Sequence, residues 1–400
     1  MDNVKTKYRA EQPIRDSYLA YGRQWIDEED IQAVVDVLKG DFLTTGPTIN
    51  KFEHAVANYV GAKYAVAFSN GTAALHGACF AAGIEEGDEV ITTPMTFAAS
   101  ANCVLYMGGT PVFADIDNKT YNINPENIEK LITEKTKAII PVDFTGQPVE
   151  LDTILNIAKK HNLVVIEDAA HALGATYRGR KIGSIADMTM FSFHPVKHIT
   201  TGEGGIITTN SKNYYDKLLQ FRSHGITRNQ GQLINKNEGP WYYEMQFLGF
   251  NYRMTDFQAA LGISQLKKND KFVEIRTKYV DLYNKAFEQH KFIDPPHLIT
   301  DSNSSWHLYV IRLKLDKLNA DRKEIYEALI SENIGVNVHY IPVHLLPYYS
   351  DIGYQKGICP NAEKLYEEII TLPLYPAMNQ KDIEDVIEAV NKILIFYSKN

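Results

Sequence analysis

Three short stretches of this chain carry residues able to act on a carbonyl compound. The first is Ser192-Phe-His-Pro-Val-Lys197, which closes a strand-like run (Met188, Met190, Phe191, Phe193) and precedes the turn Thr201-Gly-Glu-Gly-Gly205 and a second strand, Gly205–Thr209. A lysine on a stiff strand-end loop with apolar backing is a candidate covalent anchor, because a desolvated amine is a nucleophile. A lysine taken at random is a solvated surface charge, so the case for Lys197 rests on its partners. The second stretch is Leu163-Val-Val-Ile-Glu-Asp168, an apolar strand ending in two carboxylates. Burial raises a carboxyl pKa and costs free energy, so Asp168 needs a cationic partner, unless it caps the following helix. The third is Ser69-Asn-Gly-Thr-Ala-Ala-Leu75, a turn and helix start after the strand Tyr64–Phe68. Free amides and the helix dipole make such a start an anion site, although an ordinary capped helix reads the same way. It is not a P-loop, because the Gly-Lys-Ser/Thr ending is missing.

Together these features match the demands of pyridoxal 5'-phosphate. That cofactor needs an anion site for its phosphate, a carboxylate to keep its ring nitrogen protonated, and a lysine for covalent attachment. It also takes flat groups against its ring, and Phe97, at the C-terminal edge of the strand Asp88–Pro94, and His171 are available. Phe97 as a plain core aromatic is the competing reading. Lys197 and Asp168 are the expected catalytic pair. No metal is expected: there is no HExxH, and Pro195 between His194 and His198 argues against a helical ligand pair.

Several strands separated by helices over the first two-thirds of the chain predict an α/β fold with a mostly parallel sheet. After about residue 288 the pattern becomes α+β. The expected organisation is an arm over 1–24, a large domain over 25–260, a connecting helix over 261–288 and a smaller C-terminal domain over 289–400. Within it, Asp27 caps a first helix with Ile31, Val34, Val35 and Leu38 on one face, and Asn229–Tyr243 is an exposed loop. The segment Asp256–Glu288 reads as long and helical, Trp306–Leu315 as a strand with one exposed face, and Gly335–Tyr340 as another strand. A last helix begins near Asn379. The 400 residues have a net charge of −8, which leaves no electrostatic footprint for nucleic acid. Three widely spaced cysteines offer no disulfide framework, the first ten residues lack a signal-peptide core, and no apolar run approaches the roughly 20 residues of a membrane span. A cytoplasmic protein is expected.

The motifs Leu43-Thr-Thr-Gly-Pro47, Asn70-Gly-Thr-Ala-Ala-Leu75, Glu167-Asp-Ala-Ala-His171, Ser192-Phe-His-Pro-Val-Lys197, Thr201-Gly-Glu-Gly-Gly205, Gly249-Phe-Asn-Tyr-Arg-Met-Thr-Asp256 and Val338-His-Tyr-Ile-Pro342 span nearly the entire chain. In this combination the sequence resembles the DegT/DnrJ/EryC1/StrS sugar aminotransferases, of the fold-type I, aspartate aminotransferase-like group. The resemblance implies that Thr72, Ala73 and Ser192 bind the phosphate, that Phe97 stacks on the ring, that Asp168 pairs with its nitrogen, and that Ala170 and His171 lie beside it. It also implies a homodimer with shared active sites, Asn251 reaching the phosphate of the partner. Some relatives carry histidine in place of the lysine and act as dehydratases. Here Lys197 holds that register and His198 follows it, where Pro or Asn is more usual.

Within the family, the wording around Tyr21, Leu43–Pro47, Phe193–Lys197 and His339–Tyr349 is most similar to members acting in pseudaminic acid biosynthesis. These aminate a UDP-linked 4-keto-6-deoxy-N-acetylhexosamine at C4, with L-glutamate the donor suggested by the family. That likeness implies sugar-nucleotide contacts from Tyr21, Asp41, Phe42, Leu43, Thr44, His339 and Tyr340, with Arg228 a candidate diphosphate ligand. Other nucleotide-sugar aminotransferases, of perosamine or bacillosamine type, remain as alternatives, as does a non-catalytic protein that kept the fold.

Overall fold

The computed structural model describes residues 7–399, so the first six positions of the expected arm lie outside the described residues. The central sheet contains β1 (Tyr64–Phe68), β2 (Glu89–Thr92), β3 (Thr110–Phe113), β4 (Thr136–Ile140), β5 (Val164–Asp168), β6 (Met188–Ser192) and β7 (Gly205–Thr209). Their order is β1-β7-β6-β5-β4-β2-β3. All neighbours are parallel except β7, which runs antiparallel to both β1 and β6. The strands are apolar on both faces because both faces are covered. Ile139 and Val165 join a core with Phe52 and Ile154, while Ile140 and Ile166 face the opposite layer with Leu75 and Leu218.

Those layers are built by α1 (Glu28–Leu38), α2 (Pro47–Val60), α3 (Gly71–Ala82), α4 (Ala99–Leu105), α5 (Leu151–His161), α6 (Lys212–Phe221) and α7 (Asp256–Leu266). A buried ion pair ties three of these pieces together. Arg222, just after α6, bonds Glu53 of α2 and the Ala67 carbonyl of β1 (2.6 Å), while the Ala67 amide donates to the same Glu53 carboxylate (2.8 Å). Breaking one partner of such a pair costs several kcal/mol, roughly 3–5, because the other charge stays buried.

The C-terminal region has its own core, around a small antiparallel sheet of β8 (Ile293–Asp294), β9 (Tyr309–Leu313) and β10 (Ile369–Leu372). It is covered by α8 (Asn269–Phe287), α9 (Arg322–Ser331) and α10 (Gln380–Phe396), the last with the expected Asn379 capping box. The N-terminal segment packs on this region. Tyr8 and the Ile14 amide bond Glu332, Arg15 pairs with Asp382 (2.8 Å) and Asp385 (2.7 Å), and Leu19 bridges Ile334.

Four local expectations are revised. The Asp27 capping box forms as expected, but Ile31 and Leu38 remain 47% and 54% exposed, so this chain leaves much of that apolar face uncovered. The stretch 256–288 is two helices, α7 and α8, with a break at Lys267-Lys268. There Lys268 reaches back to Asp27 (2.6 Å) and the buried Asp30 (2.9 Å). Both halves are helical in period, so no pattern marks the break. β9 is shorter than Trp306–Leu315 and is buried on both faces apart from Arg312, because other elements cover its second side. Gly335–Tyr340 is not a strand: it makes one bridge, Asn337 to Thr371, and the His339–Tyr340 peptide is cis. Among the described residues no helix is long and apolar enough to cross a membrane.

One glycine controls how closely the sheet approaches the helix start. Gly205 lies opposite both Phe68 and Ser192, and a Cβ there would meet the Asn70 carbonyl oxygen at 2.5 Å and the Gly71 Cα at 2.7 Å. Gly205→Ala is therefore expected to destabilise the fold by about 1–3 kcal/mol, since backbone must move to admit the methyl group. Denaturant unfolding checks this.

Candidate active site

The chemistry-bearing residues converge because parallel strands deliver their C-terminal ends to one edge. Asp168 is the last residue of β5, Lys197 lies in the loop after β6, and Gly71–Ala73 open α3 after β1. All of them line one cavity of about 740 Å³. Ala170, His171, Ser192 and Phe97 also line it, as do Tyr21, His339 and Tyr340 from the N- and C-terminal segments.

Asp168 is buried at 4% exposure. Ser100 Oγ donates to its Oδ2 (2.6 Å) and the Ala170 amide to its Oδ1 (3.1 Å). With Ser100 donating to the carboxylate, Thr96 Oγ1 supplies the hydrogen of the Thr96–Ser100 bond (2.7 Å). Burial raises the Asp168 pKa, while Ser100, the Ala170 amide and the Lys197 charge pull it back. Lys197 sits in the opposite regime: burial lowers its pKa to about 8, and Asp168 resists that fall. The pair thus holds an acceptor with capacity for a further cationic donor and an amine that is partly neutral near pH 8.

The helix start is shaped for an anion. Asn70 Oδ1 accepts the Ala73 amide (2.8 Å) and the Asn70 carbonyl accepts Ala74 (3.1 Å), so the cap does not use the amides of Gly71 and Thr72, which both line the cavity. A Cβ on Gly71 would reach Ser192 Cβ and Met190 Sδ at 3.4 Å, filling the cradle between the helix and Ser192. His171 packs against His307 at 4.4 Å between centroids, and its Nε2 is 3.1 Å from the Tyr340 hydroxyl. Burial, together with the Lys197 charge, holds this imidazole neutral, and its Nδ1 has no partner among the described residues. An anion cradle, a buried carboxylate short of a cationic partner, a depressed lysine and a flat neutral imidazole on one cavity suit a phosphorylated pyridine aldehyde.

Six expected residues do not reach this cavity. Asp41, Phe42, Leu43 and Thr44 are exposed, the last two held through backbone contacts to Asp256 and Thr255. Asn251 is exposed and bridges Ser223, and the Arg228 guanidinium lies over Tyr243 at 5.6 Å. Phe97 lines the cavity while 63% exposed, in keeping with a ring that waits for a stacking partner. His198 is buried with its Nε2 2.9 Å from the Ser305 carbonyl, tying the lysine loop to the segment ahead of β9. Sequence reasoning missed Thr96, Ser100 and His307. Ser100 carried a weak signal, one turn beyond Phe97; His307 carried none, because only the tertiary fold brings it beside His171.

Comparison with known proteins gives the site its family. The model of the DegT/DnrJ/EryC1/StrS aminotransferase family matches residues 24–391. The spore coat polysaccharide biosynthesis protein SpsC of Bacillus subtilis is 44% identical over 382 residues, covering 95% of this chain and 98% of that protein. A UDP-4-amino-4,6-dideoxy-N-acetyl-beta-L-altrosamine transaminase of Campylobacter jejuni is 40% identical over 379 residues, covering 94% and 97%. The solved structure of Helicobacter pylori PseC, an aminotransferase involved in pseudaminic acid biosynthesis, superposes with a TM-score of 0.89 at 34% identity, covering 95% of this chain and all of that one. With Lys197 and Asp168 on one cavity, a fold shared with PseC and a family match over most of its length, the chain belongs to the DegT/DnrJ/EryC1/StrS family and is a pyridoxal 5'-phosphate-dependent sugar aminotransferase.

Proposed function

We propose that this enzyme transfers an amino group from L-glutamate to C4 of a UDP-linked 4-keto-6-deoxy-N-acetylhexosamine, in the pathway to pseudaminic acid. The observation that carries the reaction type is the desolvated Lys197 facing the same cavity as the buried Asp168. Support for the substrate comes from the Campylobacter relative and from Tyr21, His339 and Tyr340 on the cavity wall. The bound cofactor supplies an electron sink for negative charge developing at the reacting carbon. Thr72, Ala73 and the Ser192 hydroxyl would hold its phosphate, Phe97 would stack on its ring, and Ala170 and His171 would lie beside it. Asp168, whose anion the Ser100 hydroxyl and the Ala170 amide favour against the effect of burial, would pair with the ring nitrogen. Lys197 Nζ takes the proton from the donor Cα in the first half-reaction and delivers one to sugar C4 in the second.

The six exposed residues find their role in a second copy of the chain. We place Asn251 and Arg228, with the Asp41–Thr44 loop, against the cavity of a partner in an isologous C2 dimer. The uncovered Ile31, Leu38, Phe42 and Leu43 supply apolar surface for that contact. The three cysteines are free and buried, which suits a reducing, cytoplasmic setting. A GDP-perosamine synthase of Caulobacter vibrioides is 39% identical over 353 residues, so a perosamine- or bacillosamine-type keto sugar is the competing substrate.

A panel of keto sugars with L-glutamate separates these readings. Turnover of UDP-4-keto-6-deoxy-L-AltNAc, with a new amine at C4 by product NMR, is the expected result; preference for a GDP-linked or 3-keto sugar overturns the substrate assignment. Lys197→Ala should lower kcat by at least about 10³-fold. In the cofactor-free wild type, the rate of covalent cofactor attachment should rise with pH to a half-maximum near 8 rather than at the ordinary lysine value of 10.5, because burial favours the neutral amine. Absorbance in stopped flow reads this. For the dimer, mixing inactive Lys197→Ala with impaired Asn251→Ala chains should restore activity, since a shared site pairs one intact Lys197 with one intact Asn251. Absence of complementation would argue for sites built from single chains.

A further inference from the structure

Near Asp168, at the ends of β4 and β5, two more carboxyls are buried and do not line the cavity. Asp143 and Glu167 are each 0% exposed. Their backbones are interlocked: the Asp168 amide donates to the Pro141 carbonyl (2.9 Å) and the Asp143 amide to the Asp168 carbonyl (3.1 Å). Half of each carboxyl is accounted for. Asp143 Oδ1 accepts the Val149 amide (2.9 Å), and Glu167 Oε2 accepts the Thr189 hydroxyl (2.8 Å). The other two oxygens, Asp143 Oδ2 and Glu167 Oε1, have no donor among the described residues, yet the two side chains lie within hydrogen-bond reach of each other.

The groups facing the pair are Thr189 of β6, the Val149 amide ahead of α5, and the Asp168 carboxylate; none is a cation. Two ionised carboxylates in contact without a counter-charge are among the most costly arrangements a protein interior can hold. A proton placed between the two orphaned oxygens removes both the repulsion and the missing bond.

We propose that Asp143 and Glu167 share a proton between Oδ2 and Oε1, forming a positioning pair that locks the ends of β4 and β5 and leaves Asp168 as the carboxyl turned toward the cavity. The link to catalysis rests on the reading of Asp168 as partner of the cofactor nitrogen; the proton itself does not. Burial raises both acids, Glu167 to about 7 from its ordinary 4.5 and Asp143 well above its ordinary 3.8, so the pair gives up a second proton near 7 and keeps the shared one. The sign of the linkage follows. A carboxyl with a raised folded pKa contributes its full stabilisation below the unfolded value, and that contribution is lost as pH rises through the folded one. For Glu167 the window runs from 4.5 to about 7.

Glu167→Gln imitates the shared proton permanently: its amide donates to Asp143 Oδ2 while its carbonyl accepts from Thr189. Asp143→Asn does the same from the other side and serves if the first variant does not fold. Glu167→Leu removes the donor and strands the Asp143 charge.

The experiment uses the full chain and three readouts. Infrared spectra of the wild type at neutral pH should contain a protonated-carboxyl stretching band that Glu167→Gln and Asp143→Asn both lack. Between pH 5 and 8 the unfolding temperature of the wild type should fall by roughly 4 °C more than that of Glu167→Gln. Glu167→Gln should keep kcat close to the wild-type value, while Glu167→Leu loses at least about tenfold through displacement of Asp168. A wild type without the band, or parallel pH–unfolding curves for wild type and Glu167→Gln, overturns the proposal. The first two readouts need no turnover, so they stand even if the proposed substrate is wrong.

Discussion

Burial of a lysine and an aspartate in the wall of one cavity places opposing demands on the surrounding protein. Low dielectric favours the neutral amine of Lys197 and disfavours the anion of Asp168, and the proposed chemistry needs both forms. The two groups offset each other only in part. The balance is completed for Asp168 by Ser100 Oγ and the Ala170 amide, both donors that cannot follow it into neutrality. The imidazoles nearby bring no further charge, because burial keeps His171, His198 and His339 neutral. The site is thus an electrostatic arrangement in which a buried carboxyl and an adjustable amine face each other among neutral buried imidazoles.

The rest of the fold serves this arrangement by fixing strand ends. Parallel β4, β5 and β6 bring Asp143, Asp168 and Ser192 to one edge, and the antiparallel β7 brings Gly205 against the start of α3. The Arg222–Glu53–Ala67 network holds β1, from which that helix start emerges. The lysine loop is pinned from a distant part of the chain through His198 and Ser305, and Ser305 in turn donates to the His171 carbonyl (2.9 Å). Distances across the cavity therefore depend on sheet register and on one crossing segment, both stiffer than the loops themselves.

Six residues expected at the site stand away from the cavity of a single chain. Asp41–Thr44, Arg228 and Asn251 stand exposed, and apolar side chains of α1 and its following loop are uncovered beside them. Contiguous exposed apolar surface is what a protein contact covers. The proposed dimer explains both facts with one contact, and it would place the nucleotide-sugar residues of one copy near the lysine of the other.

Much of this was legible in the amino-acid sequence, because it is local. Alternating apolar strands and helices declare the sheet, the caps at Asp27, Thr255 and Asn379 form as their side chains require, and Lys197, Asp168 and Gly71-Thr72 announce themselves by sitting at strand ends and a helix start. What sequence alone could not decide is everything that depends on elements far apart in the chain. The break between α7 and α8, the second buried face of β9 and the single bridge at Asn337 follow from what packs against them, which no periodicity records. The same holds for Ser100 under Asp168, His307 against His171, and the nearness of the Asp143 and Glu167 carboxyls. A residue's type and neighbours determine what it can do; its dielectric surroundings and its partners, and hence its proton, are decided only when the chain closes around it.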